Sequence, residues 1–112
     1  MISSITLRVN YSETDQMGVV YHAKGVFLAV STVRIRYRAA ARYDDLVLVR
    51  CWVRELASRR VTFGYAVDRA ATGELLATGE TSLVSLTHQH TLTRLPDHVL
   101  DLLKPIPDPV DL

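Results

Sequence analysis

The stretch Ser12-Glu13-Thr14-Asp15-Gln16-Met17-Gly18-Val19-Val20-Tyr21-His22-Ala23 decides how this chain is read. It follows a short alternating strand and brings together carboxylates, a glycine, an aromatic ring and a histidine, with few other turn signals. A segment that merely joins two strands rarely needs that mixture. The stretch reads as a catalytic loop, and the rest of the chain as the sheet that holds it.

Working outward, Ile5, Leu7 and Val9 alternate with Thr6, Arg8 and Asn10, the period of a half-buried strand. After the loop, Gly25 to Val30 is apolar on both faces and fits a buried strand or a piece of helix. From Ser31 to Arg38 the alternation is plain, with Val33, Ile35 and Tyr37 one way and Thr32, Arg34, Arg36 and Arg38 the other. Asp44-Asp45 favours a turn. A third strand is predicted over Leu46 to Leu56, a hairpin loop at Ala57-Ser58-Arg59, and a fourth strand over Arg60 to Asp68. Gly64 inside that strand marks a bulge or a close approach. Ala70 to Gly73 turns the chain into a fifth strand, Glu74 to Leu86. Leu95 to Leu103 reads as a short helix with Pro96 at its first position, and Pro105, Pro107 and Pro109 end it in an extended, mobile terminus.

The bulk numbers fit one domain spanning residues 1–112. A net charge of +1 gives no generic pull towards nucleic acid or membrane, so neither is expected as a partner. Cys51 is the only cysteine, which excludes an intramolecular disulfide and suits a reducing compartment. No apolar run approaches a membrane span and no leader pattern opens the chain, so a cytoplasmic location is expected. There is no glycine-rich phosphate loop, Cys/His metal set or G-x-S-x-G elbow, so no cofactor or metal is expected. His88 and His90 lack a third ligand nearby and read as incidental loop residues.

The run Tyr11 to Ala23 resembles the signature of hotdog-fold acyl-CoA thioesterases of the 4-hydroxybenzoyl-CoA thioesterase (YbgC-like) family. The resemblance resumes at Val33 to Asp45 and continues through Phe63-Gly64-Tyr65 and Gly73 to Gly79. It implies an α+β hotdog fold, a curved five-stranded antiparallel sheet around a central helix, here with a short C-terminal helix. In the family, His-Ala leads into that central helix; here Lys24 is followed at once by Gly25-Val26-Phe27, which resembles what comes after it. About twenty to thirty residues are missing, the length of a long helix and its exit loop. Without the helix, six to eight large side chains worth ~1.5–3 kcal/mol each would stay wet. That cost favours a segment omitted from this sequence over a true deletion.

The resemblance also implies roles. Asp15, by itself more often a turn-former or helix cap than a catalyst, aligns with the family's catalytic aspartate, which reverses that reading: it would attack the thioester carbonyl or activate water. His22 falls where the central helix would start, so its backbone N–H would polarise the thioester oxygen, while its side chain orients Asp15 or simply packs. Gly18 permits a close approach, Val20 and Tyr21 line the acyl pocket or the core, and Glu13 supports the loop. The row Arg34, Arg36 and Arg38 is either a solvated face or a grip on coenzyme A phosphates, with Arg36 and Arg38 the chosen contacts and Arg42, Arg59 and Arg60 as competitors. The substrate implied is an acyl-CoA, and the assembly a homodimer or homotetramer. The rival reading is a non-catalytic module of the same fold that binds acyl-CoA or a partner protein.

Overall fold

The computed structural model describes the backbone of residues 3–8, 21–23 and 26–112, with side chains from residue 26 onward. Six strands form one sheet: β1 (Ser3–Arg8), β2 (Tyr21–Ala23), β3 (Val26–Tyr37), β4 (Leu46–Leu56), β5 (Arg60–Arg69) and β6 (Leu75–Thr87). A helix, α1 (Asp97–Leu102), follows. The strand order is β1-β4-β5-β6-β3-β2, and each neighbouring pair is antiparallel.

The five strands expected from the alternation are joined by a sixth, β2, which occupies the end of the stretch read as a loop. The apolar run before Ser31 continues the strand after it as one twelve-residue strand, β3, bent by an irregularity between Val30 and Thr32. Between β2 and β3 the pairing Ala23–Val26 leaves only residues 24 and 25. Among the described residues the sole helix is α1. Pro96 sits at its N-cap in extended geometry, one place before the first helical position where it was expected.

Short turns set the β4-β5-β6 meander. Ala57 N–H donates to the Arg60 carbonyl at 2.8 Å across the first hairpin. At the second, Gly73 takes φ +77°, where a side chain would be strained, and its N–H reaches the Arg69 carbonyl at 2.7 Å.

Residues directly opposite on antiparallel strands project to one face, so the register sorts the side chains. Val33, Thr81, Phe63 and Val53 form one row across β3-β6-β5-β4, and Ile35, Gly79, Tyr65 and Cys51 form the next. This apolar face is open: Ile35 is 52% exposed, and a shallow hollow of about 200 Å³ lies among Val33, Ile35, Val49, Tyr65 and Val67. On the opposite face run Arg34, Glu80, Gly64 and Trp52, and beside them Arg36, Thr78, Ala66 and Arg50.

The C-terminal segment covers that second face. Ile106 N–H donates to the Val53 carbonyl at 3.0 Å, Asp108 accepts from the Trp52 indole at 2.9 Å, and the Asp111 carbonyl accepts from Arg38 at 2.6 Å. The terminus expected to be mobile is therefore a docked strap. Beneath it Trp52 is 1% exposed, with Ala66, Thr78 and Leu76 buried as well.

Candidate active site

Asp15, Glu13, Gly18 and Val20 lie outside the described residues. Tyr21 and His22 are placed by their backbone in β2, opposite Leu28 and Phe27. His22 thus stands in an edge strand, not at a helix start, and among the described residues no helix has its N-terminus at that amide. The ring of Phe27, the residue opposite His22, meets the ring of His88 edge-on at 4.7 Å. His88, expected as an incidental loop residue, comes to the same end of the sheet as β2 only through the register of β3 against β6. His90 takes φ +62° in the turn after β6, and among the described residues no three His, Cys, Asp or Glu side chains gather as a metal site.

The arginine row divides into three situations. Arg38 is held by the strap through the Asp111 carbonyl. Arg34 lies 3.5 Å from Glu80, yet its side chain is 81% exposed, and Glu80 is already engaged by Arg54. Arg54 also makes two bonds to Asp108, at 3.2 and 3.0 Å. Those contacts, Asp108 foremost, tighten the guanidinium's hold on its proton. Among the described residues Arg36, opposite Thr78, meets no partner in an ion pair or side-chain hydrogen bond. Of the competing arginines, Arg42 meets Asp45 through its backbone N–H at 2.8 Å.

On the open face Tyr65 and Thr81 share a hydrogen bond at 3.1 Å, and Cys51 stands opposite Tyr65. Burial pushes the Cys51 thiol above its ordinary pKa, and burial does the same to the Tyr65 phenol. Neither is poised as an ionised nucleophile at neutral pH. Leu102, Leu103 and Lys104, at the end of α1 and just after it, share a cleft of about 300 Å³ with Cys51, Val53 and Phe63. No helix is long and apolar enough to cross a membrane among the described residues.

An antiparallel sheet with one open apolar face, in a chain whose Tyr11–Ala23 run carries the signature and ends in β2 of that sheet, points to the class of hotdog-fold thioester hydrolases. The match to the thioesterase-like superfamily extends over residues 4–103, and the chain belongs to that superfamily. YneP of Bacillus subtilis, a candidate acyl-CoA thioesterase, is 28% identical over 100 residues, covering 66% of this chain and 72% of YneP. The crystal structure of the hypothetical protein TT1821 from Thermus thermophilus matches with a TM-score of 0.73 at 32% identity, covering 93% of this chain and 98% of that one. The 1,4-dihydroxy-2-naphthoyl-CoA thioesterase of Synechocystis shares the fold at a TM-score of 0.74 and 19% identity, over 89% of this chain and 93% of that one. The YneP alignment has 100 positions, whereas 66% of 112 residues is about 74, so about 26 positions of YneP face no residue here.

Proposed function

We propose that this chain hydrolyses an acyl-CoA thioester of the kind cleaved by the 4-hydroxybenzoyl-CoA thioesterases. Asp15 is the base or nucleophile, and the His22 backbone N–H polarises the carbonyl. With Asp15 as base, water adds to the thioester carbon and the carbon–sulfur bond breaks; with Asp15 as nucleophile, its carboxylate adds first, the carbon–sulfur bond breaks to leave an Asp15 mixed anhydride, and water then hydrolyses that anhydride to the free acid and the restored carboxylate. In either route the thiolate leaves to be protonated as free coenzyme A. A thiolate is a good leaving group, so one carboxylate with a carbonyl polariser suffices. The observation that carries this reading is the family match over residues 4–103, which includes the whole Tyr11–Ala23 signature.

Gly18, Val20 and Tyr21 border the acyl group in this reading, and Arg36, unpaired among the described residues, is the guanidinium for a coenzyme A phosphate. Arg38, bonded to Asp111, is better suited to holding the strap. The segment missing after Lys24 is the central helix, in keeping with the roughly 26 unmatched positions of YneP. A homodimer follows from the edge of β3: residues 29–37 pair with β6 on one side and with no described strand on the other. Antiparallel pairing of that whole free stretch with itself would centre on Val33 and set Arg36 opposite Val30 of a second copy. Each arginine row would then lie towards the other copy's β2.

The place of His22 in a strand favours one rival, a binding module of the same fold without turnover. The two are separated by incubating the full chain with benzoyl-CoA and short-chain acyl-CoAs and following free thiol. Thiol release that disappears in Asp15→Asn supports the hydrolase; tight acyl-CoA binding with no thiol release supports the module.

A further inference from the structure

Polar anchors, rather than buried area, hold the C-terminal strap to the sheet. Ile106 N–H bonds to the Val53 carbonyl, Asp108 accepts from the Trp52 indole and the Arg54 guanidinium, and the Asp111 carbonyl accepts from Arg38. None of residues 104–112 is buried, and only Ile106, Val110 and Leu112 are half-buried. The helix before the strap buries no residue either. An element fixed by a few bonds and little buried surface opens locally at much less than the free energy of global unfolding.

The strap lies where this face of the sheet is most basic. Arg34, Arg36 and Arg38 reach the face from β3, and Arg54 meets Glu80 there from β4. Onto this row the strap lays two acidic residues, Asp108 paired with Arg54 and Asp111 bonded to Arg38 through its carbonyl. Leu112 then stands in a notch of about 120 Å³ between Arg34, Arg36 and Arg54. In the wall of that notch Thr78 is 2% exposed, and among the described residues its hydroxyl meets no partner. Buried hydroxyls are ordinarily satisfied. Lifting the strap would let water reach this one.

We infer that the strap is an autoinhibitory segment: seated, it occupies Arg38 and crowds Arg34 and Arg36, and an anionic ligand must displace it to reach the row. Resting on the acyl-CoA reading, the displacing group is the anionic end of the substrate, and the strap regulates access to that same site. A ligand that binds only the open form has its apparent affinity lowered in proportion to the fraction of chains that are open. Weakening an anchor therefore tightens binding, the reverse of what loss of a ligand contact does.

Fluorescence and calorimetry of the full chain with coenzyme A test the inference. Trp52 is the only tryptophan and bonds the strap directly. In the parent its emission maximum should move to the red in step with coenzyme A binding. Asp108→Ala removes the acceptor of the indole, and Ile106→Pro removes the bond to Val53 without changing charge. Each should start red-shifted and bind coenzyme A at least threefold more tightly. Asp101→Ala, with the same change in charge on α1, should behave as the parent does. Coenzyme A that binds the parent without moving the emission maximum overturns the inference, even if neither strap variant folds. So does unaltered affinity in both folded variants, an equal gain in Asp101→Ala, or no binding of coenzyme A to any of these proteins. The catalytic reading fails separately. A strap that lifts on coenzyme A binding in a chain that releases no thiol keeps the autoinhibition and loses the hydrolase. Thiol release with one KM shared by the parent, Asp108→Ala and Ile106→Pro keeps the hydrolase and loses the autoinhibition.

Discussion

Gly64 stands directly opposite Trp52 across β4 and β5, and the indole occupies the space a side chain at Gly64 would need. A Cβ there would come within 2.5 Å of Trp52 Cε2 and 2.6 Å of Nε1. The indole cannot swing aside cheaply, because its N–H is bonded to Asp108 and its ring is buried. Alanine in a strand interior would ordinarily gain stability over glycine. At this position Gly64→Ala should instead cost about 1–3 kcal/mol through overpacking, read by urea denaturation.

The same indole reports on the strap. Asp108 accepts from Trp52 and holds Arg54, so Asp108→Ala leaves a buried N–H without an acceptor while Arg54 keeps Glu80. A loss of about 1–3 kcal/mol is expected, with a smaller loss in Asp108→Asn, whose amide oxygen can still accept. Trp52 is the only tryptophan, so its emission should shift to the red in the alanine variant as water enters. An unchanged melting temperature together with unchanged emission would show that the strap is not seated in solution.

Acid should loosen the connection between β3 and β4. The Asp45 carboxyl is held below its usual pKa first by the Arg42 backbone N–H and then by the Arg69 guanidinium, against burial that pushes it up. Folding lowers this pKa, so the native state binds fewer protons than the unfolded chain there. The stabilisation is present above the unfolded value near 3.8 and disappears as pH falls through the lower folded value. Asp45→Asn should therefore lose less melting temperature than the parent between pH 6 and 3, measured by thermal scans in parallel.

The long strands were legible because their period of two survives in the sequence, and the register keeps the predicted faces of Ser31–Arg38 together. Gly64 was legible as a close approach, though the partner is a side chain and the nearby irregularity lies in β4 between Val53 and Glu55. β2 was not legible, since three residues carry too little alternation to compete with a signature that elsewhere opens a helix. The strap was misread for a physical reason. Prolines at 105, 107 and 109 fix an extended chain, which by itself predicts nothing about docking. Between the first two, only Ile106 retains an N–H, and Val53, beyond the described pairing of β1 with β4, accepts it. The arginine row stood out in the sequence, but the strap that engages Arg38 joins it only through the fold. Asp15 rests on the signature and the family match, not on described geometry.

Two positions on the same face of the sheet should differ in what they contribute to stability, because one end of that face is covered and the other is not. Val61 is fully buried, whereas Ile35 sits among the apolar rows of the open face with half its surface in water. Val61→Ala removes two methyl groups from a packed site and should cost roughly 2 kcal/mol. Ile35→Ala removes more carbon from a position that buries less, and should cost under about 1 kcal/mol for the dilute chain. Urea denaturation of both variants at low and high protein concentration provides the comparison. Edge pairing through β3 leaves the open face uncovered, so a dimer of that kind keeps the order of the two costs. A cost at Ile35 that rises to match Val61 as concentration increases would mean that a second copy packs on the open face, and pairing through the β3 edge would then be the wrong assembly.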